Sequence, residues 1–96
     1  MSIEMTTRVI RLGGLQTANV DDDIVILNIT TNSYVALDDI GRRIWELIET
    51  PRRVEELCAQ LTSEFNGIPQ QIQADVLSFL NELENEKLVH VVDEET

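Results

Sequence analysis

Cysteine occurs once in this chain, at position 58, and it has no partner for a disulfide and no CxxC companion. Neither a disulfide framework nor a cysteine-built zinc site is therefore available. Basic residues are scarce, with seven Lys plus Arg against 18 Asp plus Glu and a net charge of −11. Such a surface repels a phosphate backbone instead of releasing counterions from it, so nucleic acid is excluded as the expected partner. No run approaches the roughly 20 apolar residues of a membrane-spanning helix, and Met1 to Met5 carry no basic region followed by an apolar stretch. The expectation is a cytoplasmic protein with no membrane partner. Proline is also sparse, two residues in 96, while apolar residues make up 43%. That is the composition of a chain with a core, not of a disordered segment.

Ninety-six residues suit one domain, which at this length buries only about 60–65% of the surface its unfolded chain exposes. Along it, Val9-Ile10-Arg11-Leu12 ends at Gly13-Gly14, a turn signal, and this arm reads as either a short strand or an extended tail. Leu15 to Val20 alternates weakly. Asp21-Asp22-Asp23 then supplies side chains suited to reversing the chain. Ile24 to Ile29 is dense in β-branched residues and apolar at both parities, the pattern of a central strand covered on both faces. Thr30-Thr31-Asn32-Ser33 is turn-prone, and Ser33 to Leu37 completes a hairpin.

At Asp38 the period changes. Ile40, Ile44, Leu47 and Ile48 recur at helical spacing behind Asp38 as N-cap, predicting a helix over Asp39 to Glu49, with Trp45 close to its apolar face. Pro51 ends it. A second helix starts near Arg52, and Val54, Leu57, Cys58, Leu61 and Phe65 form one apolar stripe that Asn66-Gly67 closes. Pro69 opens a third helix whose stripe is Ile72, Val76, Phe79, Leu80 and Leu83, running to about Glu86. Leu88 to Val92 is a final extended run. The fold class expected is α+β, a three-stranded antiparallel sheet followed by three helices, with the shape of a winged helix-turn-helix. The third helix nevertheless carries Asp75, Glu82, Glu84 and Glu86 against Lys87 alone, and lacks the side chains that read base edges.

Chemistry is mostly missing. The single His90 lies in an extended apolar run, and Cys58 sits on a buried stripe with no activating cation nearby in sequence, so a structural cysteine is expected. The Asp21-Asp22-Asp23 run lacks the ligand spacing of a calcium loop. Gly13-Gly14 lacks the third glycine, lysine and helix of a phosphate cradle. Arg42, Arg43, Arg52 and Arg53 cluster around one helix boundary and could meet an acidic surface, although a solvated pair of helix ends is the simpler reading. An acyl carrier protein would be equally short and acidic, but no Asp-Ser-Leu opens a helix here. No catalytic residue, metal or cofactor is expected.

The run from Ile26 to Leu83 resembles the PqqD family, the leader-peptide recognition elements of pathways that modify ribosomally made peptides. The resemblance lies in Tyr34-Val35-Ala36-Leu37-Asp38 followed by Gly41 and Ile44-Trp45, then Val54-Glu55-Glu56-Leu57 with Leu61 and Phe65. Asp75-Val76, Phe79-Leu80 and Leu83 complete it. Lys87 stands where a glycine is frequent before Leu88-Val89. Within the family, Ile44-Trp45 and the spacing around Pro51 look most like the stand-alone proteins of lasso-peptide pathways.

The resemblance implies a non-enzymatic protein that binds the leader of a precursor peptide by strand addition. The peptide would lie along Ser33, Tyr34, Val35, Ala36 and Leu37, against a wall drawn from Ile72, Asp75, Val76, Phe79 and Leu83. It implies as neighbours a cysteine-protease-like leader peptidase and a cyclase or other modifying enzyme. An exposed sheet edge supports this physically, because its unpaired N–H and C=O groups accept a further strand. Ordinary core packing competes for each apolar helix position. Asp75 is either a contact to a basic or amide group or a solvated carboxylate, and Leu77 either a surface leucine or the far lip of the groove. The alternative function is a winged-helix interaction or regulatory module that needs no precursor peptide.

Overall fold

The structure, a computed structural model, describes residues 3–13, 15–21 and 23–92. Gly14, Asp22 and the acidic tail from 93 to 96 lie outside the description, as does the Ser33 side chain.

The alternating segments of the first third form a meander. Strands β2 (Gln16–Val20), β3 (Asp23–Asn28) and β4 (Ser33–Leu37) pair antiparallel in the order β2-β3-β4, so β3 is central and β4 is an edge. The β3–β4 register runs from Ile24↔Leu37 to Asn28↔Ser33. The loop between them turns on Asn32, at φ 58°, a left-handed conformation that asparagine tolerates better than most residues. The Asn28 side chain organises that loop: its Oδ1 accepts from the N–H of Thr30 (3.1 Å) and Thr31 (3.4 Å).

Alternation decides what each face of this sheet meets. Ile26, Val35 and Leu37 point to the core, at 0, 6 and 2% exposure. Their neighbours Tyr34 and Ala36 are exposed, while Val25 and Leu27 are half-buried. Apolar residues at both parities of β3 had suggested cover on both faces; the sheet is in fact covered on one. Ile29, expected to end the strand, lies in the turn and is exposed.

Helix α1 (Asp39–Leu47) begins where Asp38 accepts the Gly41 N–H through Oδ1 at 2.7 Å, which satisfies one of the four orphan donors of the first turn. Helix α2 (Val54–Phe65) starts later than Arg52 because Arg52–Arg53 form a short strand, β5. The Arg53 N–H is held by the Glu56 carboxylate at 3.0 Å. Asn66 closes α2 in the left-handed region, at φ 53°. Helix α3 (Pro69–Asn85) has proline in its first turn, where the missing N–H costs nothing. Its far end is a Schellman turn: Leu88 N–H returns to Leu83 O (2.9 Å) and Lys87 N–H to Glu84 O (3.0 Å), with Lys87 at φ 60°. Glycine suits that position because it lacks the Cβ that makes the conformation costly.

The arm that reads as strand or tail is a strand. β1 (Arg8–Arg11) lies between β5 and β6 (Val89–Val92) in a second antiparallel sheet of order β5-β1-β6. Further hydrogen bonds run from Arg11 N–H to Ile48 O and from Val54 N–H to Thr7 O, both 3.0 Å. The arm is thus consumed within the chain, remote in pairing from β4.

The core joins these layers. Ile44, Leu47 and Ile48 of the α1 region, Val54, Leu57, Cys58 and Leu61 of α2, and Ile72, Val76, Leu80 and Leu83 of α3 meet Ile26, Leu37, Val9 and Leu88 in one cluster. Each fully buried branched side chain is worth about 1.5–3 kcal/mol relative to exposure. The α2 stripe stops at Leu61, since Phe65 is 39% exposed. Trp45 is buried, with the Arg11 guanidinium carbon 5.3 Å from its ring centroid. That guanidinium also donates to Trp45 O (3.1 Å) and lies 3.6 Å from Glu49.

Candidate peptide-binding groove

A strand at the end of a sheet exposes main-chain N–H and C=O groups on one side. β4 pairs with β3 alone, so its outer rim from Ser33 to Leu37 is open among the described residues. The strand also lacks the usual protection, having no charged residue and no proline between Ile24 and Leu37. Val35 and Leu37 anchor the rim by packing inward, and Tyr34, 70% exposed, and Ala36 face out.

Beside the rim stands one shoulder of α3. A helix turns 100° per residue, which puts Asp75, Phe79 and Glu82 on one flank, and Leu77 and Asn81 on the opposite one. Phe79 is half-buried, and Asp75 and Glu82 are exposed. Together with Asp23, Ala36, Leu37 and Asp38, Phe79 and Glu82 line a cleft of about 370 Å³. Gly41 makes this packing possible: a Cβ there would stand 3.3 Å from Phe79 Cζ, 3.5 Å from Leu37 Cδ2 and 3.1 Å from Asp38 Oδ1.

The sequence-derived wall divides accordingly. Ile72, Val76 and Leu83 are core residues, at 5, 0 and 0% exposure, and hold α3 in place from within. Phe79 is the apolar member that reaches the cleft, and Asp75 shares its flank without lining the cleft. Leu77 packs half-buried on the core. On its side of the helix Asn81 accepts the Ile3 N–H at 3.1 Å, so that flank is turned to the N-terminal arm and away from β4. Asp23, Asp38 and Glu82 were absent from the sequence-derived site. Glu82 follows Phe79 by three residues and was legible as its helical neighbour; Asp23 and Asp38 enter only because two strands bring their ends together.

At the opposite end of the rim a smaller hollow of about 170 Å³ is lined by Leu27, Asn28, Ile29, Asn32 and Tyr34. Among the described residues, no charged side chain borders it.

Elsewhere several titratable groups serve structure. Arg43 donates Nε and Nη2 to Glu64 (2.9 and 3.0 Å) and Nη1 to Glu46 (3.1 Å). The arginine holds the Glu64 carboxyl below its usual range, and the two carboxylates raise the guanidinium in turn. Arg42 pairs with Asp39 at 3.5 Å. These arginines are committed within the chain and do not form an open basic patch. Burial pushes the Cys58 thiol up, the opposite of an activated nucleophile. No group of three or more potential metal ligands converges among the described residues.

Comparisons with known proteins give the family to which this fold belongs. The family model for coenzyme PQQ synthesis protein D (PqqD) matches residues 23–89, more than half of the chain. The chain belongs to the PqqD family. A solved structure described as TbiB1 in complex with the TbiA(beta) leader peptide is 29% identical, with a TM-score of 0.72 over 88% of this chain and 99% of that one. The PqqD truncation of Methylobacterium extorquens PqqCD, described as a stand-alone RiPP recognition element, superposes with a TM-score of 0.76. It covers 93% of this chain and 95% of that one at 18% identity, a likeness of fold. No curated protein matches the chain. The matched region begins at β3 and ends in β6, so it contains both the open rim of β4 and the α3 shoulder of this PqqD-family chain.

Proposed function

We propose that this PqqD-family protein binds the leader segment of a ribosomally made precursor peptide and presents the peptide to modifying or processing enzymes, performing no chemistry of its own. The observation that carries the reading is the unpaired β4 rim beside the Phe79 and Glu82 shoulder of α3. An extended peptide adds to such a rim through main-chain bonds and is selected by the side-chain hollows on either side. Ser33 to Leu37 supply the main-chain partners; Tyr34, Ala36 and Phe79 supply contact surface; Ile72, Val76 and Leu83 fix the distance between the two walls. The structural likeness to TbiB1, solved with a leader peptide, supports leader binding. A leader peptidase of cysteine-protease type and a cyclase are the enzymes that would receive the peptide. No helix is long and apolar enough to cross a membrane among the described residues.

The test is calorimetric titration with synthetic leaders from short reading frames beside the coding sequence. Binding is expected, and N-methylation of alternate peptide amides should weaken it while the intervening positions tolerate it, because only every second N–H of an added strand faces β4. Failure of every such leader to bind, or equal sensitivity at all positions, counts against strand addition.

A further inference from the structure

The β4 rim has two chemically different ends. Toward Ser33 the hollow is neutral, lined by Leu27, Ile29, Asn32 and Tyr34. Toward Leu37 the cleft is ringed by the carboxylates of Asp23, Asp38 and Glu82 with the half-buried Phe79 ring beside them. Among the described residues, no Lys or Arg lines that cleft, and neither Asp23 nor Glu82 is held by any of the ion pairs found. Arg42, one turn into α1, is paired with Asp39 and lines separate clefts with Ile24 and Glu46.

We infer that the bound peptide carries a positive charge where it crosses the Leu37 end of the rim and an apolar side chain about four residues away, beside Tyr34. This rests on the reading of β4 as the peptide-binding edge. Four residues of strand span about 13 Å, the length of β4. An ammonium or guanidinium over Phe79 meets the negative face of the ring and carboxylates on several sides. A bare metal ion is a poorer occupant, because the carboxylates do not converge as ligands. The charge comes from a Lys or Arg side chain or from a free peptide N-terminus, and both share this chemistry. The unequal ends also set the direction in which the peptide lies: reversing it places a charge on the neutral hollow and an apolar group among three carboxylates.

The experiment is selection of N-terminally displayed random peptides on the purified chain. Selected peptides are then synthesised with each Lys or Arg changed to Gln and, separately, with an acetylated N-terminus. Binding is followed at the Ser33–Leu37 amides by NMR. Loss of about tenfold in affinity, the worth of one charge-assisted contact, is expected from one of these changes and identifies the source of the charge. The Asp23→Asn/Glu82→Gln variant should show the same loss with the charged peptide and little change with its neutral analogue. Asp38 is left intact because it caps α1. Peptides that shift the β4 amides yet tolerate both neutralisations overturn this inference and leave the peptide-binding reading standing. If no selected peptide perturbs β4, both fall.

Discussion

Asn28 and Lys87, 59 positions apart, are joined by one hydrogen bond, from Asn28 Nδ2 to Lys87 O at 3.4 Å. Among the described residues, Asn28 is the one polar residue in the buried set, at 5% exposure. Its oxygen shapes the β3–β4 loop while its nitrogen ties that loop to the end of α3. A single amide thus links the loop before the open strand to the end of the helix beside the groove. Asn28→Ala removes its part-buried hydrogen bonds to Thr30, Thr31 and Lys87, each worth about 0.5–1.5 kcal/mol. Thermal unfolding monitored by circular dichroism should register that loss, and peptide affinity should fall with it. An unchanged affinity would mean that the loop does not position the rim.

Lys87 occupies the left-handed residue of the Schellman turn. Lys87→Gly relieves the Cβ conflict at the expense of a more flexible unfolded chain, and a net gain of about 0.5–1 kcal/mol is expected. The melting temperature should rise by a few degrees, with peptide binding unaltered because the carbonyl that Asn28 uses is retained. A lower melting temperature contradicts the assignment of strain to this residue.

Gly41 sits under Phe79 with no spare room. Gly41→Val drives a branched side chain toward the ring and toward the capping carboxylate of Asp38, an overpacking expected to cost about 1–3 kcal/mol. Because the displaced ring borders the groove, peptide affinity should drop even at temperatures where the variant stays folded. A variant that is destabilised but binds normally would place Phe79 outside the binding surface.

Glu64 has a lowered pKa, chiefly through its hydrogen bonds from Arg43 and then Gln60. A carboxyl depressed by folding stabilises above its unfolded value and loses that contribution as pH falls through the folded one. The Arg43 pair should therefore help near neutrality and fade below the ordinary carboxyl value of 4.5. In urea titrations, Glu64→Gln should be less stable than the parent at pH 7, and the two curves should approach one another on acidification. The difference should be small and salt-sensitive, as for other exposed pairs. A constant gap down to pH 3 would show that the pair does not titrate as described.

Local signals carried much of the fold. β-Branched density over Ile24 to Ile29, the cap at Asp38, the break at Pro51, the Asn66 stop and Pro69 as a first-turn residue are each short-range effects, and each reappears within a residue or two of its expected place. β5 was not legible: Arg52–Arg53 has no strand signature of its own and pairs only because β1 arrives beside it. For β1, the choice between strand and tail depends on partners more than 40 residues away in β5 and about 80 away in β6.

Within the groove, the amino-acid sequence determined which residues alternate and which recur at helical spacing. From that alone, Ser33 to Leu37 was recognisable as a strand; the expectation that it accepts another came from the resemblance to the PqqD family. Periodicity defines a face without saying what covers it. Only the packed chain sends Ile72, Val76 and Leu83 inward and leaves Phe79 and Glu82 on the shoulder. Likewise, only the folded chain gathers Asp23, Asp38 and Glu82 at one end of β4, because charge clustering across separate elements is a property of distance in space and is not encoded in the spacing of any one segment.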